Sequence, residues 1–341
     1  MLLGATVRSR SKLASVTMTV AATSSAPFNI GTPGVPWGDA ERKEWLAQTK
    51  IHRTYREEVL DKLDTLRERY DVQQYGELSL DPSRYPLYAV KSKQWNDKRP
   101  CVLVTGGVHG YETSGVQGAI SFLATAAEDY TSLFNLLVVP CVSPWGYETI
   151  NRWNYNAVDP NRSFNPDGEV VEGRSFNPEA ATEESAALLA LLKQLDFKPL
   201  CHIDLHETTD TDETEFRPAK AMRDGIIDHK PDVIPDGFYL VADVTNPQEA
   251  WHAHIIEAVR GVTHIAPPDK NGNIIGEKVV QDGVIAIPSP KSIGLCAGAT
   301  AAPYATTTEV YPDSHSRVVR GALLVRPWLD LDAPQACHLK A

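Results

Sequence analysis

The sequence predicts an α/β fold, a single domain whose mixed, mainly parallel twisted sheet carries helices on both faces. Three observations predict it. β-type runs alternate with helical ones along most of the chain, the arrangement that builds a covered sheet. Those runs, such as CVLVTGG and NLLVVPCV, are short and almost continuously apolar, as strands buried on both faces are. A chain of 341 residues, 42% of them hydrophobic, is long enough to bury one substantial core.

In chain order, Pro and Gly between Phe28 and Trp37 read as an extended lead-in. Asp39 to Tyr70 reads as one long helix, because Leu46, Tyr55, Val59, Leu63 and Leu66 recur at helical spacing between charges. PLYAVKS and CVLVTGG are strand-like, Glu112 to Ala127 helical, and NLLVVPCVSP strand-like again. Glu179 to Leu195 is helical, with Asn177 as a candidate N-cap and Pro178 in the first turn. The strand CHIDLH follows, then a polar stretch from Glu207 to Asp236, the strand FYLVADV and a helix from Trp251 to Val259. Gly and Pro punctuate residues Gly261 to Pro303; the strand ATTTEVY and an amphipathic helix from Ser316 to Leu329 complete the pattern. In such sheets chemistry gathers at strand ends.

The net charge of −11 argues against nucleic acid as a partner, since phosphates need a basic surface. No apolar stretch approaches the length of a membrane span. Five widely spaced cysteines form neither a disulfide framework nor a C-x-x-C pair and read as buried free thiols in a reducing, intracellular compartment. Residues 1–27 hold Arg8, Arg10 and Lys12, many Ser and Thr, and no acid, the composition of a targeting segment or a disordered extension. The expected location is therefore the cytoplasm or, with a transit peptide, the mitochondrion, and residues 28–341 are the expected catalytic domain.

Four motifs carry chemistry. His109-Gly110-Tyr111-Glu112 follows a strand directly and opens a helix, so one imidazole and one carboxylate can point at one centre, a donor pair that suits zinc. In CHIDLHET, alternation puts His202, Asp204 and His206 on one face; His206, at the strand end, is a natural third ligand, and His202 reads as a buried core histidine. Asp159-Pro160-Asn161-Arg162 supplies a guanidinium fork and an amide suited to a carboxylate, with Arg152 shortly before it. Glu309 is a carboxylate inside the β-branched strand ATTTEVY, where an acid needs a partner or a task such as proton transfer.

Taken together and in this order, the motifs resemble the zinc carboxypeptidase superfamily, which also includes the aspartoacylase and succinylglutamate desuccinylase branch. The resemblance runs from about Lys91 to Leu329. It implies a zinc carboxypeptidase-like fold and one zinc ion held by His109, Glu112 and His206, with Glu309 as general base. It also implies Asn161 and Arg162 as the pair gripping a terminal carboxylate, and Asp159 as the group orienting the first zinc histidine. The residue polarising the scissile carbonyl is Arg152 or, because the spacing is compressed, Asn154. The family's mobile Tyr has no clear counterpart, since Asp269 to Pro303 holds none.

The expected function is a metallocarboxypeptidase acting on a peptide with a free carboxylate. The alternative is a zinc deacylase of N-acyl amino acids, which the phrase DLHET favours. The short helix-like segment after Glu309 favours the peptidase, because the deacylase branch typically adds a β-rich domain there. A binding protein that has lost catalysis is the third reading, and the complete ligand and base set stands against it.

Overall fold

In the computed structural model, which describes residues 29–314 apart from residues 175 and 229, the apolar runs become strands and the amphipathic runs pack onto them. The elements are α1 (Asp39–Gln48), α2 (Asp61–Asp64), β1 (Tyr70–Glu77), β2 (Pro86–Ser92), β3 (Cys101–Gly106), α3 (Thr113–Thr125), α4 (Ala127–Tyr130), β4 (Asn135–Val139) and α5 (Pro144–Thr149). They continue with α6 (Glu183–Gln194), β5 (Pro199–Glu207), α7 (Arg217–Asp224), β6 (Tyr239–Asp243), α8 (Glu249–Arg260), β7 (Asn273–Ile274), β8 (Glu277–Gln281), β9 (Val284–Ile287) and β10 (Tyr304–Val310). Residues 1–27 and the expected helix from Ser316 to Leu329 lie outside the described residues, as does Cys337. No helix among the described residues is long and apolar enough to cross a membrane.

The strands form one mixed sheet in the order β1-β2-β4-β3-β5-β10-β6-β9-β8-β7. Parallel pairing unites the central block β4-β3-β5-β10. β1, β2 and β4 pair antiparallel at one flank, and β6 turns antiparallel to β10 at the other. Side-chain alternation then divides the core. Val102, Val104, Leu136, Val138, Ile203 and Leu205 meet α3 and α8 on one face, while Leu103, Leu137 and Val139 meet Leu188, Leu191 and Leu192 of α6 on the other. Each such leucine or valine removed from water contributes roughly 1.5–3 kcal/mol.

Three sequence expectations are corrected. The helix read from Asp39 to Tyr70 breaks after Gln48 and resumes at Tyr55, and its C-terminal end gives way to β1. Tertiary hydrogen bonds outbid helical ones there: the backbone amides of His52 and Arg53 donate to the Glu148 carbonyl, and that of Tyr55 to the Glu148 carboxylate. The helix expected from Glu179 starts at Glu183, capped by Thr182, whose hydroxyl accepts from the Ser185 amide; Asn177 instead hydrogen-bonds Val171 within its own loop. The polar stretch from Glu207 to Asp236 contains α7, whose short apolar face gave little periodic signal.

Cys101, Cys141, Cys201 and Cys296 are free thiols, the last three buried. Glu184, on the inner face of α6, is fully buried, and among the described residues neither of its carboxylate oxygens makes a well-formed hydrogen bond, although Thr182 and Asn154 lie near enough to act on it. Burial therefore pushes its pKa from 4.5 up to about 7, an effect that Thr182 and Asn154 offset only in part. A raised carboxyl pKa stabilises the fold below the unfolded value and loses that contribution as pH rises through the folded one. Comparing urea unfolding of the wild type and Glu184→Gln should show the stability difference shifting in favour of the variant by roughly 3 kcal/mol between pH 4 and pH 8.

Candidate metal centre

The parallel register of the central strands brings three chain segments to one edge. Gly106 pairs with Leu205, and Glu309 with His206, so β3, β5 and β10 end together. The segment leaving β3 turns at once through Gly107, whose φ of 61° excludes most side chains. It then passes so close to α5 that a Cβ on Gly110 would meet the Gly146 carbonyl carbon at 1.8 Å. Arg53 clamps the turn, its guanidinium donating to the Tyr147 and Gly110 carbonyls at 2.6 and 2.9 Å and to the Thr113 hydroxyl at 2.7 Å. Glu112 is the N-cap residue of α3, and so stands beside His109 at a fixed angle.

His109, Glu112 and His206 converge, all buried. His109 Nδ1 lies 2.6 Å from Glu112 Oε1, His206 Nδ1 lies 2.8 Å from Glu112 Oε2, and the two Nδ1 atoms are 3.2 Å apart. Each ring turns its other nitrogen to a carboxylate. His109 Nε2 faces Asp159 Oδ1 at 3.1 Å, and His206 Nε2 faces Asp204 Oδ2 at 2.8 Å. Those carboxylates hold the proton on Nε2 and leave both Nδ1 lone pairs aimed at one point, the arrangement metal-ligating histidines adopt. Apart from its contact with His206 Nδ1, Glu112 Oε2 is buried without a hydrogen bond among the described residues.

The electrostatics agree. Burial works against a charge on His206, yet Asp204 and Glu112 outweigh it and raise its pKa well above the usual value. Burial likewise pushes Glu112 up, and His109 and His206 outweigh it and hold the carboxyl below its ordinary range. Three buried carboxylates around two imidazoles favour a positive charge at their centre. Two nitrogens and one carboxylate are a donor set that fits zinc with room for a further ligand.

Asp159 links this set to its surroundings. Its Oδ1 also accepts from the Asn161 amide at 2.9 Å, and its Oδ2 accepts from Arg152 Nε at 3.0 Å. Arg152 Nη1 lies 3.0 Å from the Tyr111 hydroxyl and 3.6 Å from Asp212, and its guanidinium stacks 4.4 Å from the Phe216 ring centroid. Asn154 is buried and its side-chain oxygen accepts from the Asn156 and Val158 amides, which engages it in its own turn. Asn161 accepts from the Cys296 amide at 2.8 Å, and its Nδ2 is 3.5 Å from His206 Nε2. Arg162, next in the chain, turns away: its Nη1 donates to the Asn161 carbonyl at 2.6 Å and its guanidinium lies 4.6 Å from the Phe176 ring centroid. Glu309 stands across from His206 on β10 and accepts from the Thr208 hydroxyl at 2.9 Å; burial, with Glu112 and Asp212 nearby, raises its pKa to about 8 against the opposing pull of His206.

Contacts that sequence reasoning missed are those of Tyr111 and Thr208, which lie in the motifs without a part of their own, and of Asp212 and Arg53, which lie in none. Asp204 had a signal, because strand alternation put it on the face of His202 and His206. Its other oxygen accepts from Thr105 at 2.6 Å, and Thr105 in turn meets His202 Nε2 at 3.1 Å. His202 is fully buried and hydrogen-bonded, as its place deep in the strand predicts.

Replacing Asp204 with Asn removes the negative charge that holds the proton on His206 Nε2 and offers an amide that can turn either its oxygen or its NH2 to the ring. Chelator competition should show zinc binding weakened about 10–100-fold while the fold, followed by circular dichroism, is kept.

A family model described as zinc carboxypeptidase matches residues 81–209, a segment that contains His109, Glu112, Arg152, Asp159, Asn161, Arg162 and His206. No curated protein matches the chain. Among solved structures, a candidate metallopeptidase from Shewanella amazonensis SB2B superposes with a TM-score of 0.60 at 18% identity, covering 84% of this chain and 100% of that one. A second, from Shewanella denitrificans OS217, gives 0.58 at 18% identity over 82% and 90% of the two chains. A metallo-carboxypeptidase from Pseudomonas aeruginosa, solved with (2-guanidinoethylmercapto)succinic acid, gives 0.50 at 14% identity over 81% and 66%. These likenesses show the fold. The family match covers residues 81–209, a segment similar to zinc carboxypeptidases, and it supports a zinc metallohydrolase.

Proposed function

We propose that the protein is a metallocarboxypeptidase holding one zinc ion on His109, Glu112 and His206 and hydrolysing the amide bond next to a C-terminal free carboxylate. One observation carries this reading: two imidazole Nδ1 atoms and a carboxylate converge within a segment that matches zinc carboxypeptidases, each imidazole backed by its own buried acid. Bound zinc would act as a Lewis acid on the scissile carbonyl and would lower the pKa of water there to roughly 7.

The chain's own residues supply the rest. Glu309, at the end of β10 opposite His206, takes the proton of the attacking water and returns it to the leaving amine. Arg152, held by Asp159, Tyr111 and Phe216, stabilises the oxyanion that forms from the carbonyl. Asn161, with Arg162 once its guanidinium swings from the Asn161 carbonyl towards the site, holds the terminal carboxylate and so sets which bond is cut. Asp159 orients His109 and at the same time positions Arg152, so the ligand set and the oxyanion donor move as one unit. The same residues would serve an N-acyl amino acid, but the family match is to carboxypeptidases and favours a peptide.

The test is a mixed peptide pool and a panel of N-acyl amino acids incubated with zinc-loaded protein, with and without chelator, products being identified by mass spectrometry. Chelator-sensitive release of single C-terminal residues is the expected result. Release of acyl groups from the panel with peptides intact would transfer the assignment to the deacylase, and no change in either pool would overturn the hydrolase reading. Glu309→Gln should retain zinc and lose about 10²–10⁴-fold in kcat.

A further inference from the structure

β10 lies between β5 and β6, and its register aligns one row of side chains across the three strands. Glu309 pairs with His206 on β5 and with Tyr239 on β6, so the three stand side by side on the face that carries the metal centre. Two of them act in the proposed hydrolysis; Tyr239 is the third, and its tie to the base runs through one hydroxyl.

Tyr239 is 2% exposed, its ring held in the apolar cluster of Ala266, Ile274 and Ile285. Its hydroxyl lies 2.7 Å from the Thr208 hydroxyl, which lies 2.9 Å from Glu309 Oε2. Counting protons gives the direction of these bonds. A carboxylate that takes a proton from water starts ionised, so towards Thr208 it can only accept. Thr208 has a single hydroxyl proton, and with that proton on Glu309 its oxygen can only accept from Tyr239. Donation therefore runs one way, from Tyr239 to Thr208 to Glu309. Burial, and after it the Glu309 charge, raise the phenol's pKa well above its usual value against the opposing Thr208 bond, so the phenol keeps the proton it donates.

The consequence is a base with one oxygen engaged. Among the described residues Glu309 Oε1 makes no hydrogen bond, which leaves it as the atom to meet water. The stem of Thr208 is tied to β10, its backbone amide donating to the Val310 carbonyl at 3.0 Å. What remains free is rotation of the Thr208 hydroxyl about its C–O bond. A donor fixed on its lone pair leaves that proton pointing at Glu309.

We propose that Tyr239 is a positioning residue for the general base, aligning Glu309 through the Thr208 hydroxyl. The proposal deepens the hydrolase reading and rests on it.

Steady-state kinetics on a pool peptide that the wild type trims, with zinc affinity followed by chelator competition, tests it. Tyr239→Phe keeps the ring and removes the hydroxyl; it should lose about ten-fold in kcat, the worth of one hydrogen bond, with KM and zinc affinity unchanged. Thr208→Val should lose at least as much, and Thr208→Ser, which keeps the hydroxyl, should recover most of that loss. Because Tyr239 acts only through Thr208, adding Tyr239→Phe to Thr208→Val should slow the enzyme no further. In urea unfolding of the zinc-free proteins, the double variant's midpoint should fall by less than the sum of the single falls, since it strands neither hydroxyl. An undiminished kcat in Tyr239→Phe, a change confined to KM, a loss that follows zinc affinity, or losses that combine in full by either measure overturn the proposal. A wild type that trims no peptide overturns the hydrolase reading and this inference with it, whereas wild-type turnover with unaffected variants overturns the inference alone.

Discussion

Two imidazole rings cannot rest with their Nδ1 atoms 3.2 Å apart, beside a carboxylate, unless something fixes which nitrogen of each carries the proton. Asp159 and Asp204 do this from opposite sides, and much of the surrounding structure keeps those two acids in place. Asp204 is fully buried inside β5 and also bonded to Thr105 of the neighbouring strand, so the sheet itself sets its position. Asp159 sits at the head of a short turn that it caps through the Asn161 amide, and Arg152 holds its second oxygen. Removing a charge from water costs several kcal/mol unless it is paired. The polar groups behind the histidines therefore form a chain in which each member satisfies the next.

The fold contributes register. In a parallel pair, residues that stand opposite one another share a face, so pairing Glu309 with His206 and Thr105 with Asp204 places acid, imidazole and hydroxyl in one layer without any loop having to find its position. The one ligand segment that does leave the sheet, His109 to Glu112, is short, starts immediately after β3 and is pinned by Arg53. That pin explains why the first helical region is interrupted: the residues around Arg53 give up helical hydrogen bonds to reach Glu148, Tyr147 and Gly110. Local propensity yields here to a contact that positions the site.

The arginines divide the neighbourhood of the site by charge. Arg152, stacked on the Phe216 ring, is balanced by Asp159 and Asp212, and Arg223, stacked on the neighbouring Trp153 ring, is balanced by Glu179 and Asp224. Of the three, Arg162 alone has no acid in hydrogen-bonding or ion-pair contact among the described residues. Its neighbour Asn161 faces the histidines, so consecutive residues of one short turn look to opposite sides of it.

The sequence by itself determined the strands and the donor types that can meet at their ends. Continuous apolar runs can only be buried strands, period-two alternation put His202, Asp204 and His206 on one face, and a His and a Glu three apart at a strand-to-helix junction share a centre whatever the rest of the chain does. These are local geometries, fixed by bond lengths and by side-chain period. The tertiary structure decided everything that depends on which segments meet. It set the antiparallel flanks of the sheet, the break after Gln48, the start of α6 at Glu183, and the pairing of Arg152 with Asp159. It also assigned partners to Tyr111, Asp212 and Thr208, which carry no pattern of their own. A hydrogen bond between residues 50 or 100 positions apart leaves no periodic trace in the chain, because it is selected by the packing of whole elements and not by the spacing of neighbours.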